Sequence, residues 1–122
     1  MECKLQDVQL KAAITFSRSG GVAGLSEKIT LEIGGSGITK NRVREIKFHL
    51  DPTAIREINS LLQDLDIEKL EPEYHSKEEV YDLIEYKLRI KDKQVRIAEN
   101  AVPVQLKKLV AYLQNLMDQN QN

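Results

Sequence analysis

The sequence predicts an α+β domain in which an antiparallel sheet of about four strands carries two amphipathic helices on one face. The strongest strand signal is the alternation of apolar and charged residues over 84–91, which is typical of a sheet with one buried and one solvated face. Two segments have apolar residues at helical spacing, one behind Asp51-Pro52 and one behind Pro103. The order of these segments (strands, helix, hairpin, helix) indicates an α+β domain.

The first strands come from the N-terminal half. Residues 14–18 alternate, and residues 28–33 alternate again with Ile33 on the inward side. Residues 46–50 predict a further strand with a weaker pattern. The sequence leaves open whether residues 38–41 pair back as a hairpin arm.

Both helices have recognisable starts. Asp51 is a good N-cap and Pro52 fits the first helical position, so a helix is expected over 52–65. Between the helices, residues 84–91 and 95–97 predict a hairpin around a polar turn. The second helix begins at Pro103. Its predicted buried stripe consists of Leu106, Leu109, Val110, Leu113 and Met117.

Length and composition indicate a single domain over residues 1–122. The chain is 41% hydrophobic and 30% charged, which is typical of a globular protein. Residues 1–11 have no clear period and are expected to form a loose lead-in. The polar segment 118–122 is expected to fray.

The same composition argues against several partners. With 18 Lys and Arg against 19 Asp and Glu, the net charge of −1 disfavours a nucleic-acid binder. No apolar run is long enough for a membrane span, and we expect no membrane contact. The single cysteine, Cys3, cannot form an intrachain disulfide. We therefore expect a cytoplasmic protein.

Candidate catalytic and metal sites are weak. His49 and His75 are far apart and are interpreted as surface residues, so no metal and no cofactor are expected. The glycines at 34–37 match neither the P-loop pattern nor the dinucleotide-binding pattern and predict a flexible turn. The sequence offers no recognisable nucleophile motif and no identifiable general acid or base. We therefore expect no enzyme activity.

The glycine cluster that follows the first strand is more specific. It has two interpretations: a connection with glycines at positive φ, or a recognition loop that inserts into a partner. A two-residue hairpin would need fewer residues, and Arg18 offers a planar fork for a carboxylate. The candidate partner-binding residues are Arg18, Ser19, Gly20, Gly21, Val22, Ala23, Gly24 and Leu25.

At this cluster the sequence resembles the emfourin family, small bacterial protein inhibitors of thermolysin-like (M4) metallopeptidases. Residues 18–25 read R-S-G-G-V-A-G-L, where the family tends to show R-S-G-G-[FV]-A-G-[IL]. The likeness continues through the first helix, a turn at Leu70-Glu71-Pro72, a strand with Tyr86 and the helix behind Pro103. It spans about residues 13–116, but only the glycine cluster is distinctive as a motif.

The resemblance implies a non-covalent inhibitor that docks this loop at the cleft of a zinc metallopeptidase. Two features depart from the family pattern. Val22 stands where phenylalanine is common, and the stretch 32–44 is longer than the usual link to the first helix. The alternative function is a non-catalytic interaction module for another protein, or a homodimer formed through the sheet.

Overall fold

The structure is a computed structural model, and it describes residues 9–21, 24–76 and 83–120. Its secondary structure is a seven-stranded sheet with two α-helices and a short 3-10 turn at Ile67–Lys69. The strands are β1 (Ile14–Gly20), β2 (Leu25–Leu31), β3 (Ser36–Asn41), β4 (Glu45–His49), β5 (Glu73–Tyr74), β6 (Ile84–Ile90) and β7 (Lys93–Ala98). The helices are α1 (Pro52–Gln63) and α2 (Val104–Gln119).

The α+β class agrees with the prediction, but the predicted antiparallel sheet of about four strands is wrong. The strand order is β4-β3-β2-β1-β6-β7-β5, and the sheet is mixed because β5 runs parallel to β7. All other neighbouring strands are antiparallel. The sequence pattern did not reveal β5 because it is only two residues long and lies in a polar stretch.

The strand that the sequence left open, β3, pairs along β2 and β4. It lacks an apolar alternation because its buried positions are Gly37 and Thr39. The ring of Phe48, directly opposite Gly37, lies where a side chain at position 37 would be, so the aromatic group covers the glycine. The inward position predicted for Ile33 is also wrong: β2 ends at Leu31, and Ile33 is 48% exposed.

One face of the sheet packs against both helices and forms the core. Fully buried residues of the central strands, such as Phe16, Ile29 and Leu88, lie in one cluster with those of the helices. The whole predicted stripe of α2 is buried. We call the opposite face, which neither helix covers, the helix-free face.

The helix ends follow the predicted chemistry with small shifts. The Asp51 carboxylate accepts a hydrogen bond from the Ala54 amide at 2.8 Å and caps α1, which ends at Gln63 rather than at residue 65. The helix α2 continues to Gln119, into the segment expected to fray, while residues 121–122 lie outside the described residues.

Part of the predicted lead-in docks on the domain. Leu10 is buried, and its amide donates to the Ile33 carbonyl at 2.8 Å. The side chain of Asn59 on α1 holds the same segment: it accepts from the Lys11 amide and donates to the Gln9 carbonyl. Residues 1–8 of the lead-in lie outside the described residues.

The packing of the Phe48 ring on Gly37 can be tested by Gly37→Ala. The added methyl would overlap the Phe48 ring, and overpacking of this kind costs about 1–3 kcal/mol of unfolding free energy. Gly34→Ala is the matched control, because Gly34 has open space around it and a φ outside the left-handed region. Urea unfolding of the two variants measures the difference. Equal stabilities would contradict the packing described here.

Candidate functional site

The β1–β2 turn lies at one end of the sheet, and the last paired residues before it are Gly20 and Leu25. The φ angles of Gly20, Gly21 and Gly24 are 99°, 78° and 64°, a region that other residues rarely adopt. The Gly24 amide donates a hydrogen bond to the Gly21 carbonyl at 3.2 Å, which holds these two glycines close together. Of the candidate partner-binding residues, Val22 and Ala23 lie outside the described residues.

The turn rests on the centre of the sheet. Every residue of β1 from Ile14 to Gly20 has a partner both on β2 and on β6. A side chain at Gly20 would approach the Leu83 carbonyl to 3.2 Å, so the backbone there lies close to the segment that enters β6. The β1 side of the turn is therefore fixed on both edges, whereas the pairing of β2 with β3 begins only at Glu27.

Arg18 lies on the helix-facing side of β1, and its guanidinium is engaged within the chain. Nη2 lies 2.7 Å from the Glu27 carboxylate on β2 and 2.9 Å from the Asp118 carboxylate on α2. Nη1 donates to the side-chain oxygen of Gln114 at 3.2 Å. The side chains of Arg18 and Glu27 are each only 13% exposed. The fork that the sequence offers to a partner's carboxylate is thus occupied by Glu27 and Asp118.

The remaining described candidates fall on both sides of the sheet. Ser19 points to the helix-free face, where it is half-buried opposite Ser26. Leu25 is half-buried and shares the helix-facing side with Glu27. Gly20 and Gly24 are exposed. The structure therefore brings Gly20 and Gly24 to the surface, leaves Gly21 half-buried and turns Arg18 inward.

A second turn, between β3 and β4, lies beside the glycine turn and was missed by the sequence analysis. Val43 at its tip is 86% exposed. The Asn41 side chain accepts hydrogen bonds from the amides of Val43 and Arg44, at 2.8 and 2.9 Å, which fixes the turn. Arg42 reaches to 3.8 Å from the point where a side chain at Gly24 would begin. The signal in the sequence is Asn41, since asparagine is common at the start of turns. It indicates a hairpin turn only when the preceding residues are recognised as a strand.

The tyrosine next to Arg18 is part of the same cluster. Tyr86 faces Arg18 across β1 and β6, and its ring lies 5.4 Å from that of Phe16 at 45°. Burial is the main cause that raises the pKa of Tyr86 above its ordinary value of 10.0, and the charge of Glu99 adds to it. Burial also raises the pKa of Tyr112 on α2, with a contribution from Glu57.

The two histidines occupy surface positions, in line with the sequence interpretation. His49 Nδ1 lies 2.9 Å from the Leu50 carbonyl, and His75 Nε2 lies 2.7 Å from the Glu73 carboxylate. Within residues 9–21, 24–76 and 83–120, no group of three or more His, Cys, Asp or Glu side chains is placed to hold a metal ion.

Comparison with known proteins adds no family: no protein-family model matches the chain, and no curated protein matches it significantly. The resemblance to the emfourins stays a prediction. Among the described residues, no helix is long and apolar enough to cross a membrane.

The internal role of Arg18 predicts a large loss of stability for Arg18→Met. The substitution leaves the largely buried Glu27 carboxylate without its ion pair, which costs about 2–3 kcal/mol of unfolding free energy. Lys69→Met is the control, because Lys69 pairs with Asp66 at 3.7 Å while its side chain is 84% exposed, and it should cost less than about 1 kcal/mol. If urea unfolding gives similar losses for both variants, the guanidinium has no special structural role.

The raised tyrosine pKa values predict weaker folding in alkali. In the unfolded chain a tyrosine loses its proton near its ordinary pKa of 10.0, whereas Tyr86 keeps its proton to higher pH when folded. The contribution of Tyr86 to stability is therefore fully present below pH 10.0. It is lost as the pH rises from there through the raised pKa of the folded state. Urea unfolding at increasing pH should show this loss, and Tyr86→Phe should reduce it. An unchanged pH dependence in Tyr86→Phe would contradict the assignment.

Proposed function

We propose that this protein is a non-covalent inhibitor of a thermolysin-like metallopeptidase and that its β1–β2 turn docks at the peptidase cleft. The observation that carries the proposal is the placement of this turn: the exposed glycines Gly20 and Gly24 lie between the central strand β1 and its neighbour β2. The resemblance of residues 18–25 to the emfourins supplies the class of partner. A cytoplasmic location belongs to the same proposal and rests on the single cysteine and the sequence composition.

A turn of this kind suits a narrow cleft for two physical reasons. Glycines carry no side chain, so the backbone can approach a partner closely and offer its amides and carbonyls for hydrogen bonds. The central strand β1 is paired on both sides up to Gly20, and β2 is paired with it from Leu25 onward, which lowers the conformational entropy lost on binding. In this mechanism the apolar side chain of Val22 enters a hydrophobic subsite of the peptidase.

The longer 32–44 stretch adds a structural element on this side of the molecule. It contains β3 and most of the β3–β4 turn, which places Arg42 and Val43 beside the glycine turn. In the proposed complex this second turn contacts the rim of the cleft. Val43 supplies apolar area there, and Arg42 supplies a positive charge.

Homodimer formation by strand pairing has less support. The outer edge of the sheet at β4 presents Glu45 and Lys47, and β5 at the other edge has only two residues. Charged and very short edge strands are features that discourage edge-to-edge pairing. The geometry therefore favours a binding surface at the turns over a dimer through the sheet edges.

The proposal predicts that the purified protein inhibits a thermolysin-like peptidase and that Val22→Asp weakens the inhibition about tenfold or more. A carboxylate in a hydrophobic subsite loses its hydration without gaining a partner. The measurement is hydrolysis of a fluorogenic peptide at increasing inhibitor concentration. Gly34→Asp is the control, because it adds the same charge to the β2–β3 turn, at the opposite end of the sheet.

Two results would contradict this proposal. If the wild-type protein does not inhibit the peptidase, the function is wrong. If Val22→Asp inhibits as well as Gly34→Asp does, the contact lies elsewhere on the molecule.

A further inference from the structure

The helix-free face of the sheet carries a row of lysines across its centre. The strand register places Lys40 directly opposite Lys28, Lys28 opposite Ser17, and Ser17 opposite Lys87. We call Lys28, Lys40 and Lys87 the lysine row. All three are exposed, and they span three strand spacings, or about 14 Å.

The charges of the lysine row are not neutralised by the part of the chain that the structure describes. None of the three lysines forms an ion pair there, and the direct opposition of Lys28 and Lys40 is unfavourable for the sheet. Arg96, the next cation along the same row, differs: it lies 3.3 Å from the Glu85 carboxylate and 3.9 Å from that of Glu73. The unpaired positive charge is therefore concentrated at the centre of the face.

The surface around the row suits small anionic groups. Two shallow depressions, of about 350 and about 480 Å³, meet there, and both are lined by Ser17, Lys28 and Lys87. Arg89 lines the first depression, and Lys40 the second. The Ser17 hydroxyl lies between two lysines and can donate a hydrogen bond to a carboxylate that they attract.

We propose that the lysine row is a docking surface for an acidic patch on a partner protein. Charge complementarity is the argument: the chain as a whole has a net charge of −1, yet this face of the sheet concentrates lysines that form no ion pair with the described residues. This inference goes beyond the proposed inhibition and does not depend on it, since the glycine turn takes no part in it.

Two features favour an acidic protein over a nucleic acid. The row ends in carboxylates, with Glu45 opposite Lys40 on one side and Glu73 opposite Arg96 on the other. A phosphate backbone that crosses the sheet would meet these charges, whereas a compact acidic patch fits between them. In addition, the described strand residues on this face include no Phe or Tyr on which bases could stack.

The test measures binding of a fluorescent poly-glutamate peptide to the wild-type protein, to Lys28→Glu/Lys87→Glu and to Lys107→Glu/Lys108→Glu. The two variants change the net charge equally, but Lys107 and Lys108 lie on the exposed side of α2. We expect the wild type and the α2 variant to bind with similar affinity, and the lysine-row variant to bind about tenfold more weakly or worse. Binding should also weaken as the salt concentration rises.

Binding of a short DNA duplex to the wild-type protein is measured in the same way. Thermal unfolding shows whether each variant is folded. Lys28→Glu places a carboxylate opposite Lys40, so the lysine-row variant should be at least as stable as the wild type. If it fails to fold, Lys28→Gln/Lys87→Gln against Lys107→Gln/Lys108→Gln repeats the comparison. Three results would overturn the proposal: no peptide binding by the wild type, equal losses in the two variants, or tighter binding of DNA than of the peptide.

Discussion

A single guanidinium joins three elements of this fold. Arg18 occupies a helix-facing position on the central strand, where Ile14 and Phe16 before it are buried apolar residues. A charge at such a position must be compensated, and Glu27 from β2 and Asp118 from α2 compensate it. The end of α2 is thereby tied to the end of the sheet that bears the glycine turn. The end of α2 is also joined to β3, because the Thr39 hydroxyl donates a hydrogen bond to the Asn120 carbonyl at 2.9 Å.

The two surfaces that we propose for binding are neighbours, because Arg42 lies beside the glycine turn and also lines the second depression at the lysine row. The helix side of the sheet is filled by the core and the Arg18 cluster, so the sheet itself offers accessible polar surface at its turns and on the helix-free face. At the turns, the exposed Gly20 and Gly24 lie at the ends of β1 and β2, and β1 is paired on both sides. On the helix-free face, Lys28 and Lys87 stand on either side of Ser17. The first surface suits a cleft and the second a complementary charged patch, so one partner or two different partners can use them.

The sequence predicted the parts of the fold that have a strong local pattern. The helix behind Asp51, the helix behind Pro103 and the hairpin of β6 and β7 all follow from periodicity or capping. The pattern failed at β3, where Gly37 is covered by Phe48 from another strand, and at β5, which exists only through its pairing with β7. Both depend on contacts between distant segments, which a local pattern does not contain.

The candidate site also has features that a local sequence pattern shows and features that depend on contacts between distant segments. The glycines of the turn are recognisable in the sequence. The partner-binding role of Arg18 stays a prediction, and the sequence pattern does not show that its guanidinium pairs with Glu27 and Asp118. Its role in the fold is best tested by a double-mutant cycle of urea unfolding with Arg18→Met, Glu27→Met and the double variant. We expect a coupling free energy of about 1–3 kcal/mol, because the first substitution already removes what the second would break. Additive losses in the double variant would contradict the account.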